Sequence, residues 1–207
     1  MPPRRKKGKI DINGVESNHR KAWKWISNFE HVTNHISKYN IRQRLDDDPK
    51  QLICIENFLP AHVADFALNV VESIDERQWH ATVADADYAQ NNIDHKFKST
   101  KTSSVYLDGI LRVFSVLTYD DGRYFDTFSA AKYSGGDHIA PHDDKAYTNV
   151  RVEGKEGKVI ECSRDITLVY YLTTGWEESD GGAFVDLVHG MYCVLCIVYM
   201  RCTQSIN

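Results

Sequence analysis

The segment from Tyr133 to Asp144 carries the residues best suited to chemistry. It ends in His142 and Asp144, an imidazole and a carboxylate two positions apart. In an extended strand, residues i and i+2 point to the same side, so these two side chains can reach one point. A histidine and a carboxylate are two of the three ligands in the sites that hold non-haem Fe(II), and the third ligand is a second histidine. The sequence therefore predicts part of a metal site, with His142 and Asp144 as ligands.

Two neighbouring residues fit such a site less well. Asp143 falls on the opposite face of a strand and is expected at the surface. His138 shares a face with His142, but four extended residues separate the two histidines by about 13 Å. That distance is too long for two ligands of one ion unless the backbone turns between them. We therefore do not expect His138 to be a ligand.

The composition excludes several classes of protein. A chain of 207 residues with 42% hydrophobic content can bury the core of one domain. The net charge of −4 gives no overall basic signature for nucleic-acid binding. A basic cluster at Arg4 to Lys9 is expected to be a solvated tail, with nuclear localisation or polyanion binding as the alternative. The longest apolar run, Met191 to Met200, is too short to span a membrane, so no membrane partner is expected.

The cysteines indicate the compartment. The chain contains five cysteines, and no apolar segment follows the basic start as it would in a signal peptide. An odd cysteine count without such a signal favours reduced thiols and an intracellular location, cytoplasmic or nuclear.

The hydrophobic pattern divides the chain into four parts. These are a disordered basic tail (1–20), a helical lead-in (21–48), a domain that contains the predicted metal site (50–190) and an apolar, cysteine-rich tail (191–207). Helices are predicted over 21–44, as one helix or two, and over 61–74. Strands are predicted over 52–55, 103–106, 111–119, 125–133, 164–172 and 183–188, and a long surface loop over 84–96.

Aromatic residues in the helical lead-in allow two interpretations. Trp23 and Trp25 either pack on the domain that follows, which the pattern favours, or form a surface for a binding partner. His31 and His35 share a helix face, but no acidic residue completes a zinc motif there. We expect these two histidines to be exposed or to have capping roles.

The order of motifs along the chain resembles a known family. The set consists of Tyr133-x-x-Gly136, His142-x-Asp144, Arg164-x-x-Thr167-x-x-Tyr170-Tyr171-Leu172, Trp176 and Gly181-Gly182. It resembles the Fe(II)- and 2-oxoglutarate-dependent dioxygenases, and the best match is the prolyl 4-hydroxylase-like branch. The helix start at Phe58-Leu59-Pro60 also resembles the segment that precedes the catalytic sheet in that family. The resemblance extends from Leu52 to Val188.

The resemblance implies a fold and a reaction. The fold is mainly β with N-terminal helices (α+β), and its catalytic part is a double-stranded β-helix, which is jelly-roll-like. The reaction hydroxylates a C–H bond of a protein or small-molecule substrate, with a prolyl residue as the family-weighted choice, and forms succinate and CO2. Fe(II) and 2-oxoglutarate are the implied cofactor and cosubstrate, and ascorbate is the implied helper that keeps the iron reduced.

The resemblance also implies roles for individual residues. His142 and Asp144 match two of the iron ligands. Tyr133 and Tyr171 match tyrosines whose hydroxyls contact 2-oxoglutarate, and Arg164 matches a position that flanks the same pocket.

The C-terminal part departs from the family pattern. The family places a second histidine and then an Arg or Lys well after Gly182, but residues 191–207 contain no histidine. We therefore expect a β domain that lacks its last strands, and a tail without strand alternation. A shortened barrel that uses His189 and Arg201 is one alternative. Another is a catalytically impaired or inactive dioxygenase-like protein that acts as a binding module through its N-terminal helix and basic tail.

Overall fold

The computed structural model describes residues 12–47, 52–83, 93–115, 129–142, 147–151, 159–163, 166–173, 177–186, 191–193 and 196–201. The helices are α1 (Ile12–Ile26), α2 (Phe29–Ser37), α3 (Ile41–Asp47), α4 (Ala61–Glu72) and α5 (Val105–Ser115). The strands are β1 (Ile53–Glu56), β2 (His80–Val83), β3 (His95–Thr100), β4 (Ala130–Lys132), β5 (His138–Ile139), β6 (Tyr147–Arg151), β7 (Val159–Ser163), β8 (Ile166–Tyr170), β9 (Phe184–Asp186), β10 (Met191–Cys193) and β11 (Cys196–Arg201). Short 3-10 helices occupy Glu76–Gln78 and Glu178–Asp180.

The helical lead-in is present as three helices. The first begins at Ile12, so residues 12–20 are helical where a flexible tail was predicted. Asn28 lies between α1 and α2, and its side chain accepts the backbone N–H of His31 at 3.1 Å. Such an N-cap satisfies an amide that the helix itself leaves without a partner. The helices bury one apolar face each, through Ala22, Ile26, Val32, Ile36, Ile41 and Leu45.

The core joins this lead-in to α4, α5 and β1. The predicted helix over 61–74 is observed as α4, which buries Val63, Phe66 and Ala67. Trp23 and Trp25 are partly buried and pack against the same core cluster. Packing on the domain is therefore the interpretation that the structure supports for both tryptophans.

Helix α5 corrects the sequence prediction. Strands were predicted over 103–106 and 111–119, but Val105–Ser115 is an α-helix. Its buried residues, Leu107, Ile110, Val113 and Phe114, recur at three- and four-residue spacing. The β-branched and aromatic content suggested a strand, whereas helical spacing and burial against the core decided the outcome.

The C-terminal tail also differs from its prediction. Strand β11 lies between β1 and β8 and pairs antiparallel with both, with Ile53 opposite Tyr199 on one edge and Leu168 opposite Tyr199 on the other. The tail was expected to lack a strand pattern because its residues do not alternate between apolar and polar. Pairing along both edges satisfies the backbone hydrogen-bonding groups of β11 whatever its side chains are, so a lack of alternation did not exclude a strand.

A second antiparallel sheet contains β2, β3, β4 and β5. Strand β3 pairs with β2 along one edge and with both β4 and β5 along the other. Residues 95 and 96 belong to β3, although a surface loop was predicted over 84–96, and residues 84–92 lie outside the described ranges. Strands β6 and β7 form one further pair and β9 and β10 another. These pairings are compatible with an α+β chain, and the double-stranded β-helix stays a prediction.

Phe58 lies at the centre of an aromatic cluster in the core. Its carbonyl accepts hydrogen bonds from His35 Nε2 at 2.5 Å and from the Tyr39 hydroxyl at 3.3 Å. Its ring stacks on Phe114, with ring centroids 6.2 Å apart. The prediction of an exposed or capping His35 is therefore wrong, since this ring is half-buried between Trp25, Tyr39 and Phe58.

Replacing Gly109 by Ala should destabilise the protein. An added Cβ would lie 2.6 Å from Trp23 Cζ3 and 3.3 Å from Ile26 Cγ2, because α5 approaches α1 closely at this glycine. Helix propensity alone would favour Ala by about 1 kcal/mol, whereas overpacking costs about 1–3 kcal/mol. We expect a net loss of about 1 kcal/mol in the free energy of unfolding, measured by urea denaturation. Gly135→Ala is the matched control, since its Cβ meets no atom within 4 Å.

Replacing His35 by Ala should also destabilise the protein. The substitution removes a hydrogen bond worth about 1 kcal/mol and aromatic contacts worth about 0.5–1.5 kcal/mol each. We expect a loss of about 2 kcal/mol in the free energy of unfolding. The exposed His31, one turn earlier in α2, provides the control, and His31→Ala should change stability by less than about 0.5 kcal/mol. Equal effects of the two substitutions would contradict a special role for His35.

Candidate functional site

His142 lies at the surface, three residues after the end of β5. Its Nδ1 atom is 2.8 Å from the carbonyl oxygen of Ala140. A carbonyl oxygen only accepts, so Nδ1 carries the proton and donates it in this hydrogen bond. In the neutral ring, the lone pair is then on Nε2. A backbone carbonyl that fixes the tautomer in this way is a common partner of metal-binding histidines.

The backbone that carries His142 is attached to β3. The Ala140 N–H donates to the carbonyl of Asp94 at 2.7 Å, immediately beyond the pairing of Ile139 with His95. His138 Nε2 lies 3.2 Å from Asp94 Oδ1, in a pair whose side chains are largely exposed. Exposed pairs of this kind add little stability. The backbone hydrogen bond is therefore the more important attachment of the segment that precedes His142.

Tyr133 lies at the other end of the motif. Its ring stacks on Phe97 of β3, with ring centroids 5.0 Å apart and an angle of 23° between the planes. About half of the side chain is exposed, at 47% of its maximum. Burial of the remainder raises the pKa of the Tyr133 phenol, and the nearby Asp137 carboxylate raises it further. The phenol thus stays protonated, as a hydrogen-bond donor, over an extended pH range.

A tight turn separates Tyr133 from β5. The Asp137 N–H donates to the Ser134 carbonyl at 2.9 Å, and the Asp137 carboxylate accepts the Ser134 N–H at 2.8 Å. Gly136 has a φ of +85°, the left-handed region that the third position of a type II turn requires. The Tyr-x-x-Gly motif therefore has a conformational reason for its glycine.

The second glycine motif follows a similar turn. The Asp180 N–H donates to the Glu177 carbonyl at 2.8 Å, and the Asp180 carboxylate accepts the Glu177 N–H at 2.9 Å. Gly181 and Gly182 then have φ values of +67° and +75° and lead into β9. Two consecutive positive φ values explain why two glycines occur together.

Two adjacent tyrosines, Tyr170 at the end of β8 and Tyr171 directly after it, have different surroundings. Tyr170 packs against the core, and its ring centroid is 5.4 Å from that of Phe114. Burial, assisted by the Asp65 carboxylate, raises the pKa of Tyr170 to about 12. Tyr171 follows directly after the strand and is half-buried. Tyr170 is thus a structural aromatic residue, whereas Tyr171 stays a candidate for a contact with the cosubstrate.

Several predicted site residues lie outside the described ranges. These are Asp144, Arg164, Trp176 and His189. Within the described ranges, no three histidine, cysteine or acidic side chains are grouped so that they could hold a metal ion. In the same part of the chain, no helix is both long and apolar enough to cross a bilayer. Of the two predicted metal ligands, His142 is therefore the one within the described ranges, and its ring is hydrogen-bonded to the Ala140 carbonyl.

Sequence reasoning did not find three residues that hold the motif segment in place, two outside it (Asp94 and Lys96) and one within it (Asp137). Asp94 and Lys96 belong to no recognised motif, and only their pairing with β5 brings them to it. Asp137 had a usable signal, because an Asp three positions after a Ser, with two glycines between, is typical of a side-chain-capped turn.

A small cleft lies elsewhere, on helices α1 and α4. It has a volume of about 250 Å³ and is lined by Asn18, His19, His62, Asp65, Phe66, Leu68 and Asn69. None of these residues belongs to the motif set, so the cleft does not bear on the predicted metal site.

Comparison with known proteins gives no further assignment: the chain matches no protein-family model, no curated protein and no solved structure.

The pKa of Tyr170 leads to a prediction about alkaline stability. A pKa raised in the folded state means that the unfolded chain releases its proton first, so stability is complete below pH 10 and declines as pH rises towards 12. Tyr170→Phe removes this contribution. Between pH 9 and 11, we expect the wild type to lose about 1 kcal/mol more free energy of unfolding than the variant. Urea denaturation at several pH values measures the difference, and parallel curves would contradict the prediction.

Proposed function

We propose that the protein is an Fe(II)- and 2-oxoglutarate-dependent dioxygenase that hydroxylates a C–H bond of its substrate. The observation that carries the proposal is the hydrogen bond from His142 Nδ1–H to the Ala140 carbonyl. It sets the tautomer in which Nε2 has the lone pair, which a metal ligand requires. The hydrogen bond is made by His142, which is also the histidine that the motif set predicts as a metal ligand.

The proposed site combines residues inside and outside the described ranges. His142 and Asp144 would hold the metal, and the Tyr133 and Tyr171 hydroxyls would donate to the 2-oxoglutarate carboxylates. Arg164 would flank the cosubstrate. The raised pKa of Tyr133 favours this role, because only the protonated phenol donates a hydrogen bond. A half-exposed position for Tyr133 agrees with a site that a cosubstrate enters from solvent.

When bound, Fe(II) would supply the oxidising chemistry with O2 as the oxidant: one oxygen atom enters succinate as 2-oxoglutarate loses CO2, and the other becomes the hydroxyl group of the substrate. The protein's own contribution is orientation of the ligands, and the Ala140 carbonyl holds the plane of the His142 ring. A prolyl residue of a protein is the proposed substrate class, with small molecules as the alternative and ascorbate as the accompanying reductant. We further propose an intracellular location, cytoplasmic or nuclear. Cys54, a half-buried free thiol, agrees with a reducing compartment.

Substitution of His142 tests the proposed site. His142→Ala should weaken Mn(II) or anaerobic Fe(II) binding more than about a hundredfold, because loss of an outer-shell partner alone costs about 10–100-fold. Succinate formation from 2-oxoglutarate, measured by mass spectrometry without added substrate, should fall to the level of the metal-free protein. His80→Ala is the control, since His80 is exposed on β2 and belongs to no motif.

The possible results separate the candidate functions. Absence of metal binding by the wild type would overturn the proposal, and turnover that survives His142→Ala would exclude the proposed ligand. Metal binding that depends on His142 but produces no succinate would identify a catalytically impaired relative of the dioxygenases.

A further inference from the structure

The turn in the motif segment is closed by one nearly buried carboxylate. Only 11% of the Asp137 side chain is exposed. One of its oxygens, Oδ2, accepts the Ser134 N–H at 2.8 Å, and the other, Oδ1, lies 3.5 Å from Lys96 Nζ. Lys96 belongs to β3, so the carboxylate connects the turn to the neighbouring strand. A carboxylate buried to this extent is stable only with such partners, so these two contacts define the position of the Asp137 side chain.

The pairing of β3 shows what the turn accomplishes. Strand β4 ends with Lys132 opposite Lys98, and β5 resumes with His138 opposite Lys96. Five residues, 133–137, therefore lie opposite the single residue Phe97. An insertion of this kind interrupts the strand and redirects the side chains that follow. The conformation of these five residues therefore decides which residue of β5 pairs with Lys96.

That register determines the position of His142. With His138 opposite Lys96, Ala140 comes to the Asp94 carbonyl and donates to it at 2.7 Å. The Ala140 carbonyl in turn accepts the hydrogen bond from His142 Nδ1. A shift of one residue would exchange the two faces of β5 and remove the hydrogen bond from Ala140 to Asp94. The Ala140 peptide, and with it the His142 ring, would then no longer be attached to the residue before β3.

We propose that Asp137, held by Lys96, is a positioning residue for the candidate metal site. It fixes the turn, and through the register of β5 it fixes the tautomer and orientation of the His142 ring. The role in metal binding rests on the proposed function, whereas the effect on the ring is independent of it. Tyr133 is positioned by the same turn, since it precedes Ser134 and its ring lies on Phe97 of β3.

The test compares Asp137→Ala, Asp137→Asn and Lys96→Met in the full chain. Long-range ¹H–¹⁵N NMR reports which nitrogen of the neutral His142 ring carries the proton. We expect Nδ1–H in the wild type and a mixture of tautomers in Asp137→Ala. Exchange of the Ser134 amide should be at least about tenfold faster in this variant, which corresponds to loss of one hydrogen bond.

The Asp137→Asn variant separates the two contacts of the carboxylate. A carboxamide keeps an acceptor oxygen for the Ser134 N–H, but it is neutral and no longer forms an ion pair with Lys96. This variant should therefore keep slow exchange at Ser134 and retain more of the wild-type tautomer than Asp137→Ala. It also keeps the inference testable if Asp137→Ala fails to fold.

Metal affinity gives the functional readout. Mn(II) binding should weaken by about 10–100-fold in Asp137→Ala, as for other outer-shell substitutions, and by less in Asp137→Asn and Lys96→Met. Glu76→Gln and Lys98→Met are the matched controls. Glu76 is an exposed carboxylate that pairs with Lys98 of β3 and with Lys132 of β4, on the side of the turn away from β5. Neither control should alter the His142 tautomer or metal binding.

The outcomes distinguish the inference from the proposed function. An unchanged tautomer, unchanged Ser134 exchange and unchanged metal affinity in Asp137→Ala would overturn the inference. A wild type that binds no metal, combined with an altered tautomer in Asp137→Ala, would overturn the proposed function and support the positioning role. A loss of stability alone, with the tautomer preserved in the folded variant, would show that Asp137 is merely structural.

Discussion

The hydrogen bonds and ring contacts of Phe58 connect the helices to the sheet. Its carbonyl is held by two side chains of the lead-in, and its ring stacks on Phe114 of α5, which packs on Tyr170 of β8. Asn57, with a φ of +51°, turns the chain between β1 and α4 so that Phe58 enters the core. Full burial of a phenylalanine contributes about 1.5–3 kcal/mol, and Phe58 is only 1% exposed. The packing of the lead-in helices, α5 and β8 around Phe58 therefore depends on this residue.

The candidate site depends on a different element, strand β3. This strand and the residue before it contact the motif segment through a backbone carbonyl, an ion pair and a ring stack, at Asp94, Lys96 and Phe97. None of the three belongs to the motifs that suggest chemistry. Residues that bear reactive groups are thus separated from residues that orient them, as is usual where a strand supports a site formed by loops.

The sequence predicted those helices and strands whose local residue pattern agrees with their surroundings in the folded chain. Helix α4 has a clear apolar stripe after Pro60, and β1 is a short apolar run, so both were found. Helix α5 was missed because its β-branched and aromatic residues favour a strand locally, while its burial is decided by distant helices. At the candidate site, the motif set indicated His142, and this assignment stays a prediction. Its support by Asp94 and Lys96 was not found, because pairing between strands far apart in the chain leaves no local pattern.

The central place of β11 has a consequence for the order of folding. Pairing of Ile53 with Tyr199 closes a loop that contains most of the chain, and closure of long loops carries a large entropic cost. The contacts among α1, α2 and α3 are local and are able to form early. Strand β1, by contrast, pairs with β11 only after residues 196–201 have emerged from the ribosome. During synthesis, we therefore expect the helical lead-in to fold first. Until β11 is available, the edge of β1 that pairs with it remains accessible to other chains and to chaperones.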